Sequence, residues 1–135
     1  MTNFFFYGIF KRHGVAEHML LRDCTYLGSA TAPGFVILDH NGPAAMVPGS
    51  TWRGTNNVAK GDIVAVPDEH FEAILKRLDR VESNGNAYIR VKIEAIMDDG
   101  ERVEAYTYLW IEHYREGEVL EDGNWSRPFK IGVDI

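Results

Sequence analysis

Apolar positions crowd the start of the chain, where Phe4, Phe5 and Phe6 run into Tyr7 and Gly8 and the basic pair Lys11-Arg12 follows. An aromatic run with no polar position predicts a strand from Asn3 to Tyr7 covered on both faces. "KRHGVAEHMLL" then predicts a short helix from about Val15 to Leu21. Glycine and proline recur at short intervals beyond it. The pieces "GFVILDH" and "AAMV" between those breaks, and "DIVAV" at 62–66, predict short strands joined by turns.

The period changes in "PDEHFEAILKRLDRVE". Phe71, Ile74, Leu75 and Leu78 recur at i, i+3, i+4 and i+7, which marks a helix with one buried face. Pro67, Asp68 and Glu69 suit its first turn, where a missing N–H costs nothing and acids complement the dipole. "SNGN" at 83–86 ends it. Strict alternation follows: Ile89, Val91, Ile93 and Ala95 against Tyr88, Arg90, Lys92 and Glu94. "DDG" at 98–100 supplies a turn and "RVEAYTYLWIE" alternates again, a hairpin signature. From His113 onward the chain is polar and irregular, with Trp125, Pro128 and Phe129 expected to pack back onto the body. Short strands around one well-marked helix predict an α+β fold, a small mixed β-barrel or curled sheet with flanking helices. The expected organisation is a single domain over residues 1–135, with an irregular C-terminal segment at about 113–135.

Composition narrows the function classes. At 135 residues the chain is long enough for one real core. Its net charge of −6 argues against a nucleic-acid backbone as main partner. The single Cys24 excludes an internal disulfide and a multi-cysteine zinc site, and it lacks the Cys-His or Cys-x-x-Cys context of a nucleophile. A packed thiol is expected there. The opening residues lack a signal peptide's basic region and cleavage site, and no apolar run reaches the ~18 residues of a membrane span. A soluble cytoplasmic protein without membrane association is expected.

Among ionisable residues Glu82 stands out. It lies eleven positions after Phe71, and eleven steps of ~100° return to within ~20° of that residue. If the helix persists so far, the carboxylate lies on the apolar stripe. Burial there would raise its pKa toward the range a general acid or base needs at neutral pH. If the helix stops at Arg80, Glu82 is a solvated loop residue, and periodicity alone leaves both readings open. The five histidines lack a metal-ligand spacing. Ser29, Ser50 and Ser83 lack a G-x-S-x-G context, and "GSTWRGTN" lacks the spacing of a phosphate loop. Arg90 reads as an ion-pair partner and Tyr106 as a cross-strand packing residue, and Tyr88 and Tyr108 also suit cross-strand pairs.

Four motifs in order carry a resemblance: "YGIF" after an apolar strand, "KRHGVAEH" behind it, "LDRVE" closing a helix, and "Y-I-R" opening the next strand. Their order and spacing resemble the γ-glutamyl cyclotransferase superfamily, also described as AIG2-like. The basic stretch and Glu17-His18 are similar to its γ-glutamylamine cyclotransferase branch. The similarity runs from about Phe4 to Trp110, and Gly123-Asn124-Trp125 resembles a Gly-Asp-Trp element of some bacterial members.

The resemblance implies a small β-barrel with helices and one pocket for a small-molecule γ-glutamyl substrate. It places the glutamyl-binding loop on Tyr7, Gly8, Ile9 and Phe10, the catalytic glutamate on Glu82, and pocket tyrosines on Tyr88 and Tyr108. The reaction it implies closes the substrate's α-amine onto its γ-carbonyl, releasing 5-oxoproline and an amine or amino acid. It implies no metal or organic cofactor, and a monomer or weak homodimer is expected. Three positions depart from the family pattern. Ile9 stands where Ser or Thr is usual, Phe10 where Leu is usual, and Asp62 where Glu is common. A lost hydroxyl removes one hydrogen bond, worth about 0.5–1.5 kcal/mol, and leaves the backbone amides in place. The bulkier Ile9-Phe10 pair favours an alternative, a non-catalytic module that binds γ-glutamyl compounds on the same fold.

Overall fold

The computed structural model describes residues 1–8, 23–39, 44–49, 58–81 and 88–110. Seven strands and one α-helix lie within them: β1 (Thr2–Phe6), β2 (Thr25–Pro33), β3 (Phe35–Asp39), β4 (Ala44–Pro48), β5 (Val58–Val66), α1 (Phe71–Val81), β6 (Tyr88–Met97) and β7 (Arg102–Trp110). A 3-10 turn, Asp68–His70, leads into α1. Five strands close a barrel in the order β1-β5-β2-β6-β7, and β3 pairs with β4 as a separate hairpin. β1 runs antiparallel to β5 and parallel to β7, with Phe4 opposite Tyr106 at the closing seam. The Thr107 hydroxyl donates to the Phe5 carbonyl across that seam at 2.9 Å.

Closure explains the phenylalanine run. Successive side chains of a strand point to opposite faces. Phe5 and Tyr7 enter the barrel interior with Ile63, Ile93 and a set of alanines, while Phe4 and Phe6 point outward into a second cluster with Ile74 and Leu78 of α1. Both faces of β1 are buried, as the unbroken aromatic run predicts. The interior is completed by the β3–β4 hairpin, whose Ile37 and Met46 reach the barrel core. Its other face, with Val36, Leu38, Ala45 and Val47, packs on Trp110.

Two features were not foreseen from the pattern. β2 is a nine-residue strand in a stretch that reads as turns. Its register against β5 shifts between Tyr26 and Gly28, and Gly28 sits at φ 144°, a conformation other residues rarely adopt. The alternation in β6 also does not separate core from solvent at the strand's start. Tyr88 is buried, whereas Ile89 is 38% exposed. The cause is α1, which covers the outer face of the barrel there, so the nominally polar face meets apolar neighbours. The helix spacing is observed as expected, with Ile74 and Leu78 buried and Phe71 and Leu75 half-buried on one face. The expected helix at Val15 to Leu21 and the segment at 113–135, with Trp125, Pro128 and Phe129, lie outside the described residues. No helix among the described residues is long and apolar enough to cross a membrane.

Candidate functional site

Strand directions decide which ends meet. β7 is parallel to β1, and β6 is antiparallel to β7 with Tyr88 opposite Trp110 and Arg90 opposite Tyr108. The exit of β1, the start of β6 and the exit of β7 therefore share one rim of the barrel. Tyr7 and Gly8 leave β1 at this rim. The last turn of α1 reaches it too, because Asp79 is bonded there to side chains of both β6 and β7. Of the positions singled out from sequence, Tyr7, Gly8, Tyr88 and Tyr108 gather at this rim. Ile9, Phe10 and Glu82 lie outside the described residues, Glu82 immediately after Val81, the last residue of α1.

The three tyrosines occupy two sides of the barrel wall. Tyr7 lies in the interior cluster, 6% exposed, and its hydroxyl donates to the Tyr108 backbone carbonyl at 2.5 Å. Tyr108 belongs to β7, where alternation turns its ring outward under α1 at 2% exposure. Its hydroxyl donates to Asp79 Oδ1 at 2.6 Å. Tyr88 shares that outer cluster and meets Trp110 edge to face, ring centroids 5.1 Å apart. Tyr108 is thus held twice, by its carbonyl from inside the barrel and by its hydroxyl from the helix.

Asp79 is the residue that sequence patterning missed. Its second oxygen accepts from Arg90 Nη1. That hydrogen bond, ahead of the charge attraction that accompanies it, raises the Arg90 pKa above its ordinary value and keeps the guanidinium protonated. The ion-pair role read for Arg90 is therefore met, with Asp79 as partner and 26% and 27% of the two side chains exposed. A signal was present in the sequence: an acid in the last turn of a helix opposes the dipole and calls for a compensating cation. On the neighbouring wall the Asp62 carboxylate, opposite Phe6 in β5, is 8% exposed. It accepts from the Tyr26 hydroxyl at 3.3 Å and the Ser29 hydroxyl at 3.5 Å. Cys24 packs beside the outer cluster, and burial, reinforced by Asp23, raises its thiol pKa, in keeping with the packed thiol expected.

An open cavity of about 360 Å³ lies elsewhere, between the first residues of β1 and Phe71, Lys92, Glu104 and Tyr106. It is at the opposite end of β1 from Tyr7 and shares no residue with the rim.

The family model for gamma-glutamyl cyclotransferase, AIG2-like, matches residues 4–127. The chain belongs to that family. An Arabidopsis thaliana protein known from a solution structure is 30% identical, with a TM-score of 0.64 over 87% of this chain and 73% of that one. The crystal structure of a mouse AIG2-like protein is 19% identical, with a TM-score of 0.69 over 93% and 88% of the two chains. A gamma-glutamyl cyclotransferase structure is 13% identical, with a TM-score of 0.61 over 82% and 66%. These last two show the shared fold. No curated protein sequence matches the chain. Family membership and the mixed barrel agree with the resemblance read from the four motifs.

Proposed function

We propose that the chain is a γ-glutamyl cyclotransferase acting on a γ-glutamyl amine or γ-glutamyl amino acid. The observation that carries this reading is the convergence of the Tyr7-Gly8 exit, the end of α1, Tyr88 and Tyr108 on one barrel rim. Motif positions scattered over a hundred residues of sequence are neighbours there. In this reading the backbone amides of Tyr7, Gly8, Ile9 and Phe10 hold the glutamyl α-carboxylate. Tyr88 and Tyr108 form the adjoining wall, with the Tyr108 hydroxyl committed to Asp79.

The nucleophile is tethered to its own electrophile, so folding the substrate supplies most of the advantage. Glu82 takes a proton from the α-ammonium, and the freed amine attacks the γ-carbonyl to form the ring C–N bond. The γ-amide C–N bond then breaks as Glu82 returns its proton to the leaving nitrogen. The ring nitrogen sheds a second proton, which the departing amine gains, so the exchange balances. The products are 5-oxoproline and the amine or amino acid, and no step calls for a cofactor.

Incubation with a panel of γ-glutamyl amino acids and γ-glutamyl amines, with 5-oxoproline followed by mass spectrometry, tests the proposal. Parent protein forms 5-oxoproline, and folded Glu82→Gln falls by at least about a hundredfold. Ile9 and Phe10 favour a second reading, a binding module without turnover. Compounds that bind both proteins equally while neither yields 5-oxoproline would establish that alternative.

A further inference from the structure

We infer that the open cavity at the start of β1 is a second ligand site, which takes a free α-amino acid with a large apolar side chain. At about 360 Å³ it falls near the lower end of the range for small-molecule clefts, roughly 300–1,000 Å³. That size suits one amino acid rather than a nucleotide or a longer peptide.

The lining divides by chemistry. Phe71, the first residue of α1, and Tyr106 of β7 form an aromatic wall, half-buried and edge to face with ring centroids 6.4 Å apart. Phe4, opposite Tyr106 across the seam, packs on the same ring at 5.7 Å and holds it in place. Such a wall is ready to receive an apolar group, and an aromatic one best. Beside it the lining carries a cation and a carboxylate. Lys92 Nζ lies 3.3 Å from Glu104 Oε1 and 5.2 Å from the centroid of the Tyr106 ring. The hydrogen bond to Glu104 raises the Lys92 pKa and keeps the ammonium charged.

Those two charges choose the head group. A lone anion is drawn to Lys92 and repelled by Glu104, and a lone amine meets the reverse. A zwitterion satisfies both. The ammonium and carboxylate of an α-amino acid share one carbon, so they match a cation and a carboxylate that stand side by side. Strand pairing adds a second reason. Glu94 stands directly opposite Glu104 across β6 and β7, with Arg102 bonded to Glu94 at 2.8 Å. Like charges opposed in this way destabilise a strand pair, and an ammonium arriving at Glu104 relieves the repulsion. The Lys92 and Glu104 side chains are 55% and 72% exposed, so a ligand engages them without the desolvation cost of a buried pair.

The experiment is a titration of the nitrogen-15-labelled full chain with L-phenylalanine, read in its amide shifts by NMR. Phenethylamine and hydrocinnamate, which keep the ring but lack the carboxylate or the ammonium, are compared with it. Lys92→Gln and Glu104→Gln are the variants, and their exposed side chains leave the fold intact, as matching spectra away from the cavity should verify. Shifts centred on Thr2, Asn3, Phe71, Lys92, Glu104 and Tyr106 are expected. Each single-charge compound should bind the parent at least about fivefold more weakly, and L-phenylalanine should bind each variant more weakly by a similar factor. Three results would overturn the inference: no shifts up to about 10 mM L-phenylalanine, shifts confined to the rim, or equal binding by the single-charge compounds or the variants. The titration reads binding alone, so its outcome is independent of turnover at the rim.

Discussion

A methyl group at position 61 would lie 2.4 Å from the Phe6 carbonyl oxygen and 2.8 Å from the Phe5 ring. Only glycine allows β5 to approach β1 so closely, and Gly61→Ala is expected to cost about 2–3 kcal/mol by overpacking, read from urea denaturation. An unchanged midpoint would mean that the strands can separate. Cys24 gives a pH prediction. Its folded pKa is raised above the ordinary 9.0, first by burial and then by Asp23. The unfolded thiol therefore ionises first, so stability is intact below about pH 9 and declines as pH climbs from there through the folded value. Cys24→Ser should flatten that alkaline decline in melts at pH 8 and pH 10. The packed state of Cys24 was legible because nothing reactive surrounds it in sequence. Asp79 was not, because its partners lie eleven and twenty-nine residues away and meet it only after the strands have paired.

Helix α1 and the β6–β7 hairpin were readable because each carries its own period, and local spacing selects the buried face. Leu78 is fully buried between α1 and the barrel. Leu78→Ala should cost about 2–5 kcal/mol, while Lys76→Ala on the exposed face should stay within about 0.5 kcal/mol. Equal losses in chemical denaturation would mean that α1 is not docked by the face described. β2 was illegible for the opposite reason. Its alanines, Gly28 and Pro33 carry little strand propensity, and it exists because β5 and β6 flank it and small side chains fit the barrel interior. Tyr88 and Ile89 show the same override, since the cover provided by α1 outweighs the local alternation.

The whole molecule was legible as a class, a mixed barrel with a helix, and its rim was legible as a set of positions. The closing of that rim was not, since parallel pairing of β1 with β7 leaves no mark in either strand alone. With β1 buried in the barrel interior on one face and under α1 on the other, unfolding of the purified chain should be one cooperative transition. Far-ultraviolet dichroism and tryptophan fluorescence should coincide, and a separated second transition would divide the chain into independent units. The closing seam also has a consequence during synthesis. Its bonds join residues 101 and 102 positions apart in sequence. At ribosomal rates of about 5–20 residues per second, β1 leaves the ribosome roughly 5–20 seconds before β7 is complete. For that interval the Phe4–Phe6 strand has an open edge on the β7 side, an aromatic segment poised to pair with another nascent chain. Ribosome-bound chains ending before residue 102 should accordingly be protease-sensitive and bound by holdase chaperones, and protection should appear only once Trp110 has cleared the exit tunnel.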